Sequence, residues 1–577
     1  AAYVSVPIGV WLALWASGAR GVGRATTARV GVTQWLVTAA LVVLVGSASA
    51  YYAAFAAVGV LTVGAVVALR HGEWRDLLRP VLVAGGIVAT VVVNVAGEVL
   101  ARGATEAGVR VPLDSDAYGL RISQMLLPVR NHRVGALAEL TEGAFRVDAP
   151  GDVGAALGLI STVGLIAIVL SCIRRLGRTS SGDGLLAGSV DGREGVVSRL
   201  GVLAIGALAF ATVGGLGMVL ATLGVTQIRA WSRMASFVGF VGVAGAAMLL
   251  DAALRRWSPS PIGRGAIGAL LIVVAVLDQT TPASLPSEAY NAERWDADVA
   301  LAEDLEAELP DGSLVFELPV GAFPSELPMG SIDANELLGP YVAGSGTLSW
   351  TTGAFTGSPG DWQRSLAARP TAELVDLLAA ANVAGLAVDR RGFDDDAADT
   401  LDRELRSTLG PPSFETSDAS RAWYDLRPRR AELVDELGAT TVERIGAAAT
   451  RPVAVVVEGS PGVRALRETR SRALEASSAI ELRDTGDAGG PMTVAFELQG
   501  EPGATVEVRS ASGSTTVTLD EEPVPVELTV DLVPGRPTRV ELRTDAAAMP
   551  ALSMWGDIRL RLTELSVTDP DAVLPER

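Results

Sequence analysis

A chain of 577 residues is long enough for three or more domains, and with 49% hydrophobic residues it is too apolar to be soluble throughout. The formal net charge of −19 argues against nucleic acid as a partner. Every basic residue apart from two histidines is Arg, so an arginine alone marks nothing. The lone Cys172 excludes an intrachain disulfide and a cysteine metal site, and with only His71 and His132 a histidine-rich zinc site is excluded too.

The chain starts Ala1-Ala2-Tyr3 inside an apolar run, with neither a basic n-region nor a cleavage site. This does not read as a signal peptide, and a fragment whose earlier helices are missing is the expectation. Eight spans follow, at Tyr3–Ser17, Gln34–Val45, Ala53–Leu69, Val81–Val95, Val153–Ile173, Leu200–Leu220, Ala235–Leu250 and Ile262–Leu277. Arg20, Arg24 and Arg29 follow the first, Arg70, Arg75 and Arg79 the third, Arg174, Arg175, Arg178 and Arg193 the fifth, and Arg255, Arg256 and Arg264 the seventh. Gly46–Tyr52, after the second, has no basic residue. By the positive-inside rule odd-numbered spans end in the cytoplasm. The loop Ala101–Asp152, the loop around Arg229 and Arg233, and everything after Asp278 then lie outside.

Near the outer end of the fourth span, Asn94 and Glu98 are polar residues at membrane depth or at its edge. In the long loop, Asp114 and Asp116 are candidates for a divalent cation or a base, or for a helix cap. Leu120, Met125, Leu126 and Leu127 share one side of a helix, predicted to lie along the outer leaflet and stop at Pro128. His132 and Arg133 follow; either they are solvated, or with Arg130 they help hold a phosphate. The segment Gln227-Ile228-Arg229-Ala230-Trp231-Ser232-Arg233-Met234 is short, external and basic, against the trend of the other loops. Its two guanidinium groups can bind a phosphate through paired donors, with Trp231 at headgroup depth, or serve only as interfacial anchors.

After a linker at Asp278–Tyr290, helices at Ala297–Leu309, Thr371–Ala381 and Asp394–Leu409 alternate with strands at Ser313–Leu318, Val383–Val388 and Arg421–Leu426, which predicts an α/β domain. Pro319 and Pro324 follow its first strand where a dinucleotide site would have glycines. The run Asp394-Asp395-Asp396 suits a helix start better than a cation site. Trp350 and Trp362, among Gly, Ser and Thr, could stack on a sugar or belong to the core. From Pro452 onward, short alternating strands predict a β-sandwich of jelly-roll type. The expected organisation is a membrane domain at 1–278, an extracytoplasmic α/β domain at 279–430 and a β-sandwich at 451–577.

The runs Tyr118-Gly119-Leu120-Arg121-Ile122 to His132-Arg133, Ile228-Arg229-Ala230-Trp231-Ser232-Arg233, and Leu348-Ser349-Trp350-Thr351-Thr352-Gly353-Ala354 with Asp361-Trp362-Gln363 resemble segments of large bacterial multi-pass proteins similar to the GT-C class of glycosyltransferases. The resemblance implies a bacterial plasma-membrane enzyme. It would take sugar from a polyprenyl-phosphate donor on the outer face and pass it to an envelope glycan or lipid. It also implies an acidic catalytic residue in a first external loop. No Asp or Glu precedes Glu73 here, so no catalytic residue carries over. A lipid-phosphate role does carry over, to Arg229 and Arg233 and then to His132 and Arg133. A carboxylate would deprotonate the acceptor while cations stabilise the departing phosphate. The competing readings are a transporter or flippase for lipid-linked sugars and a non-catalytic envelope assembly protein.

Overall fold

The computed structural model describes residues 2–18, 31–102, 112, 114–145, 155–176, 193–257, 260–281, 288–321, 329–332, 334–355, 357–459, 472–486, 489–549 and 558–575. Arg20, Arg24, Arg29 and Arg178, on which the orientation partly rests, lie outside them, as does the Glu98 side chain. The chain divides into two compact units, residues 1–101 with 110–286, and residues 102–109 with 287–577.

The first unit is helical. Its helices are α1 Ser5–Ala16, α2 Val32–Ala48, α3 Ala50–His71, α4 Leu78–Arg102, α5 Asp114–Ala117, α6 Ile122–Leu126, α7 Gly135–Phe145, α8 Gly158–Leu176, α9 Arg193–Ala211, α10 Leu216–Thr222, α11 Ala235–Trp257 and α12 Pro261–Gln279. Four stretches, Ala50–His71, Trp74–Gly97, Trp231–Trp257 and Pro261–Gln279, are long and apolar enough to cross a membrane. Four shorter apolar helices, Ser5–Ala16, Val32–Ala48, Gly158–Arg174 and Gly195–Ala211, occupy the remaining predicted positions. One core joins all of these except Pro261–Gln279, which has no buried residue, and Phe55, Trp231 and Phe237 are wholly enclosed in it.

Missing side chains set how closely α8 and α11 approach. A Cβ on Gly164 would lie 1.9 Å from the Gly242 carbonyl oxygen, and one on Gly242 would lie 2.3 Å from that of Ser161. Small residues thus let the two backbones touch, which in an apolar solvent provides the packing that helix association relies on. Gly242→Ala is therefore expected to lower the thermal stability of the detergent-solubilised protein by about 1–3 kcal/mol, because backbone atoms must yield. Unchanged melting would contradict this contact.

Two expectations are corrected. The span predicted at Leu200–Leu220 is not continuous: α9 ends at Ala211, and α10 starts after Gly214, at φ +69°, and Gly215. The long loop causes the break. Leu120 N donates to Ala211 O at 2.7 Å, Val213 N donates to Leu120 O at 3.2 Å, and an Asp116 carboxylate oxygen accepts from Gly214 N at 2.8 Å. The loop thereby takes over backbone groups that a continuing helix would have paired. Nor does the apolar side of that loop face outward as a whole. Its helix α6 is only five residues long, and Leu120 and Met125, each 1% exposed, insert into the helical core.

In the second unit, a mixed sheet runs in the order β2-β1-β3-β5-β4, with β1 Leu314–Leu318, β2 Ser349–Trp350, β3 Gly385–Asp389, β4 Phe414–Glu415 and β5 Arg421–Asp425. β1 is parallel to β2 and β3, whereas β5 is antiparallel to β3 and β4. Its helices are α13 Glu288–Glu308, α14 Gly339–Ala343, α15 Trp362–Ala367, α16 Thr371–Ala380, α17 Asp395–Leu409, α18 Arg427–Leu437 and α19 Ala439–Ala449. The predicted α/β alternation is present, and the acidic run opens α17 with Asp394 at its N-cap.

The remaining strands are β6 Val453–Glu458, β7 Arg472–Glu475, β8 Ser477–Asp484, β9 Gly490–Gln499, β10 Thr505–Ser510, β11 Gly513–Thr518, β12 Val524–Leu532, β13 Pro537–Thr544 and β14 Ile558–Thr568. They form two antiparallel sheets, β11-β10-β13-β8-β6 and β12-β9-β14-β7, which share one apolar core. The α/β part and the β part are joined tightly. Buried Asp361 accepts from Val455 N at 3.2 Å, Arg451 bridges Asp484 and Asp569, and Ala572 returns to the core around α16.

Candidate functional site

Five helix ends meet around one open cleft of about 430 Å³ in the helical unit. Tyr3 stands just before α1, Tyr52 is in the first turn of α3, and Ala155 to Leu157 lead into α8. Ser232, Arg233 and Ser236 form the turn entering α11, and Gln279 closes α12. The opposite ends gather elsewhere. Arg199, near the start of α9, donates to Ser17 O beyond α1 at 3.2 Å, and Cys172 Sγ near the end of α8 lies 4.0 Å from Ser198 O. The end of α1, the end of α8 and the start of α9 therefore come together away from the cleft.

Within the cleft, Arg233 is exposed, and its guanidinium stacks over the Tyr51 ring at 4.9 Å. Ser236 Oγ donates to Arg233 O at 2.8 Å, which tightens the turn, and the Tyr3 and Tyr52 rings lie 5.5 Å apart. Among the described residues no carboxylate pairs with Arg233. A cation with donors free to turn outward, beside tyrosine and serine hydroxyls and flanked by Ala155, Leu157 and Gly239, can accept an anionic group that carries an apolar tail.

The other candidates fall in different places. Arg229 is half-buried over the Tyr118 ring at 5.0 Å and does not line the cleft. Trp231 is corrected from a headgroup-depth contact to a core residue. It is 1% exposed and packs against Phe210 and Phe55 at centroid distances of 5.9 and 5.7 Å, so no ring face is left for a ligand. His132 is buried rather than solvated: its Nδ1 accepts from Val134 N at 3.1 Å and its Nε2 faces Asp278 at 3.7 Å. Arg133 Nε donates to Thr280 O at 3.0 Å. These two residues thus secure the end of α12, and neither lines the cleft. Asn94 bonds Ser47 across α4 and α2 at 3.1 Å. Asp114 is buried, and among the described residues no group of three or more His, Cys, Asp or Glu could hold a metal ion. Trp350 and Trp362 are half-buried at the edges of the α/β cores, the latter 6.0 Å from the Phe316 ring.

Sequence reasoning missed Tyr3, Tyr52, Ser236 and Gln279. The available signal was that each sits at the outer end of a predicted span. It also missed a buried charge cluster at the carboxyl edge of β1 and β3. Glu317 is 3% exposed, its Oε2 has no hydrogen-bond partner, and Thr351 Oγ1 accepts from its backbone N–H at 3.0 Å. Burial pushes the Glu317 carboxyl up to about 8, against the smaller opposing pull of the Thr352 hydroxyl and Arg421. Asp389 grips Arg391 through two bonds, at 2.9 and 2.8 Å, and lies 3.3 Å from Arg421, which also pairs with Asp298. Burial raises Asp298 as well, opposed by Arg421 and Arg391. A Glu within Leu314-Val315-Phe316-Glu317-Leu318 was the visible clue.

Neither a family model nor a curated protein matches the chain. Two structures of a mutant arabinofuranosyltransferase AftD from Mycobacteria are similar to it at 14% and 15% identity, with TM-scores of 0.32 and 0.31. They cover 98% of this chain and 51% and 50% of theirs. A third AftD structure is similar at 14% identity and TM-score 0.25, covering 98% of this chain and 50% of that one. The chain thus spans about half the length of the structures it matches.

Proposed function

We propose that this chain belongs to a membrane glycosyltransferase of the GT-C kind, with the cleft at Arg233 receiving the phosphate of a polyprenyl-phosphate sugar donor. The observation behind this reading is one accessible guanidinium, unpaired by carboxylate among the described residues, in a cleft of about 430 Å³ where apolar helices end. Charge builds on the phosphate as the anomeric C–O bond breaks. Arg233 and nearby hydroxyls would stabilise that charge in the transition state more than in the ground state. The isoprenoid chain would leave over Ala155, Leu157 and Gly239 toward lipid.

The arginine distribution supports a cleft and second unit on the non-cytoplasmic face of a bacterial plasma membrane, where the acceptor would be an envelope glycan or lipid. The strand order supports a jelly roll. Counting from β6 as one to β14 as nine, the sheets run six-five-eight-three-one and seven-four-nine-two, the order of two interlocked Greek keys.

Ser236→Trp tests the reading by filling the cleft from its rim without removing a charge. Full-length protein in native membranes, supplied with polyprenyl-phosphate sugar, should lose most of its turnover while keeping its melting temperature. Undiminished turnover in a folded variant would defeat the proposal.

A further inference from the structure

At the far end of α3, two arginines share a second pocket. Tyr52 and Arg70 are separated along that helix by about 27 Å at 1.5 Å per residue. Arg199 is 8% exposed; its terminal nitrogens donate to Gly195 O at 3.3 Å and Ser17 O at 3.2 Å, and its Nε has no partner. Arg70 is half-buried, with one terminal nitrogen enclosed and unpartnered. Both line a pocket of about 20 Å³ with His71, Ser198 and the apolar Val63, Val67 and Val202. The nearby Asp76 is engaged by His71 Nδ1 at 2.5 Å. Among the described residues no carboxylate pairs with Arg70 or Arg199.

Two like charges against valines, at the end of an apolar bundle, are costly unless an anion joins them. A water would satisfy one N–H group but leave the charge uncompensated. The volume admits about one water-sized group, hence a single anionic oxygen whose parent group stays at the rim.

We propose that Arg70 and Arg199 form an anion site that takes one oxygen of a phosphate group, at the end of the helical unit opposite the cleft. The phosphate is either a lipid headgroup or free inorganic phosphate; the recognition chemistry is the same. The site rests on different residues from those of the Arg233 cleft and stands whether or not the chain is a glycosyltransferase.

The test uses the full chain, delipidated in maltoside micelles, with melting temperature as the readout. Three additions are compared: inorganic phosphate, phosphatidylglycerol, and diacylglycerol, which has similar tails but no phosphate. A rise of a few degrees is expected with one or both phosphate compounds and none with diacylglycerol. A rise with phosphatidylglycerol alone identifies a headgroup, and a rise with inorganic phosphate identifies the free ion. The rise should vanish in Arg199→Gln and in Arg70→Gln and persist in Arg255→Gln, an exposed arginine paired with Asp251. If Arg199→Gln does not fold, Arg70→Gln decides alone, since its side chain is only half-buried. No rise in the wild type, or a rise that survives in the folded Arg70 and Arg199 variants, overturns the site.

Discussion

Arg233→Ala in the full-length protein is expected to reduce kcat/KM for a polyprenyl-phosphate sugar by roughly 10- to 100-fold. Hydrogen bonds to a charged group contribute about 1.5–3 kcal/mol, and about 1.4 kcal/mol is a factor of ten in rate. The loss should not come from unfolding, because the side chain is exposed and its stacking on Tyr51 is a surface contact. Arg233→Lys should recover part of the activity: it keeps the charge but loses the planar pair of donors. Arg229→Ala should cost less, since Arg229 lies over Tyr118 outside the cleft. Equal losses at the two positions, or none at Arg233, would remove Arg233 from its assigned role.

The second large effect concerns stability. The folded state holds a proton on Glu317 up to about pH 8, whereas the ordinary carboxyl releases it near 4.5. Between those values the folded chain binds more protons than the unfolded one, so stability falls as pH rises. The contribution is fully present below the lower value and is lost through the upper one. At about 1.36 kcal/mol per pH unit, the loss by pH 7.5 is on the order of 4 kcal/mol. Asp298, also raised by burial, acts with the same sign and begins at lower pH. Glu317→Gln keeps the shape without the ionisation. It is expected to match wild type near pH 5 and to exceed it near pH 8, by unfolding measurements across that range. A wild-type curve that stays flat from pH 5 to 8, or a variant with an unchanged slope, would show that Glu317 does not titrate this way.

Much of the architecture was legible from periodicity. Thr371–Ala381 and Val383–Val388 were read as a helix and a strand and are α16 and β3 within a residue or two. Strands alternating toward the core, as in Thr505–Arg509, were equally plain because a period of two needs no distant partner. The short β7, at Arg472–Glu475, was not, since four residues carry too little pattern. The candidate site was only half visible. Arg233 stood out as a cation in the wrong loop, but the same reasoning put Trp231 and His132 beside it, and these face the core and Asp278.

Composition alone determined that an apolar helical half precedes a polar mixed half, because that property depends on residues close together in the chain. Only the tertiary structure decided which polar groups share a space. It drew Tyr3, Tyr52, Arg233 and Gln279, separated by up to 276 residues, into one cleft, and paired His132 with Asp278 instead. It also broke the sixth apolar run, because Leu120 and Asp116 supply bonding partners to the Ala211–Gly214 backbone that no local pattern announces.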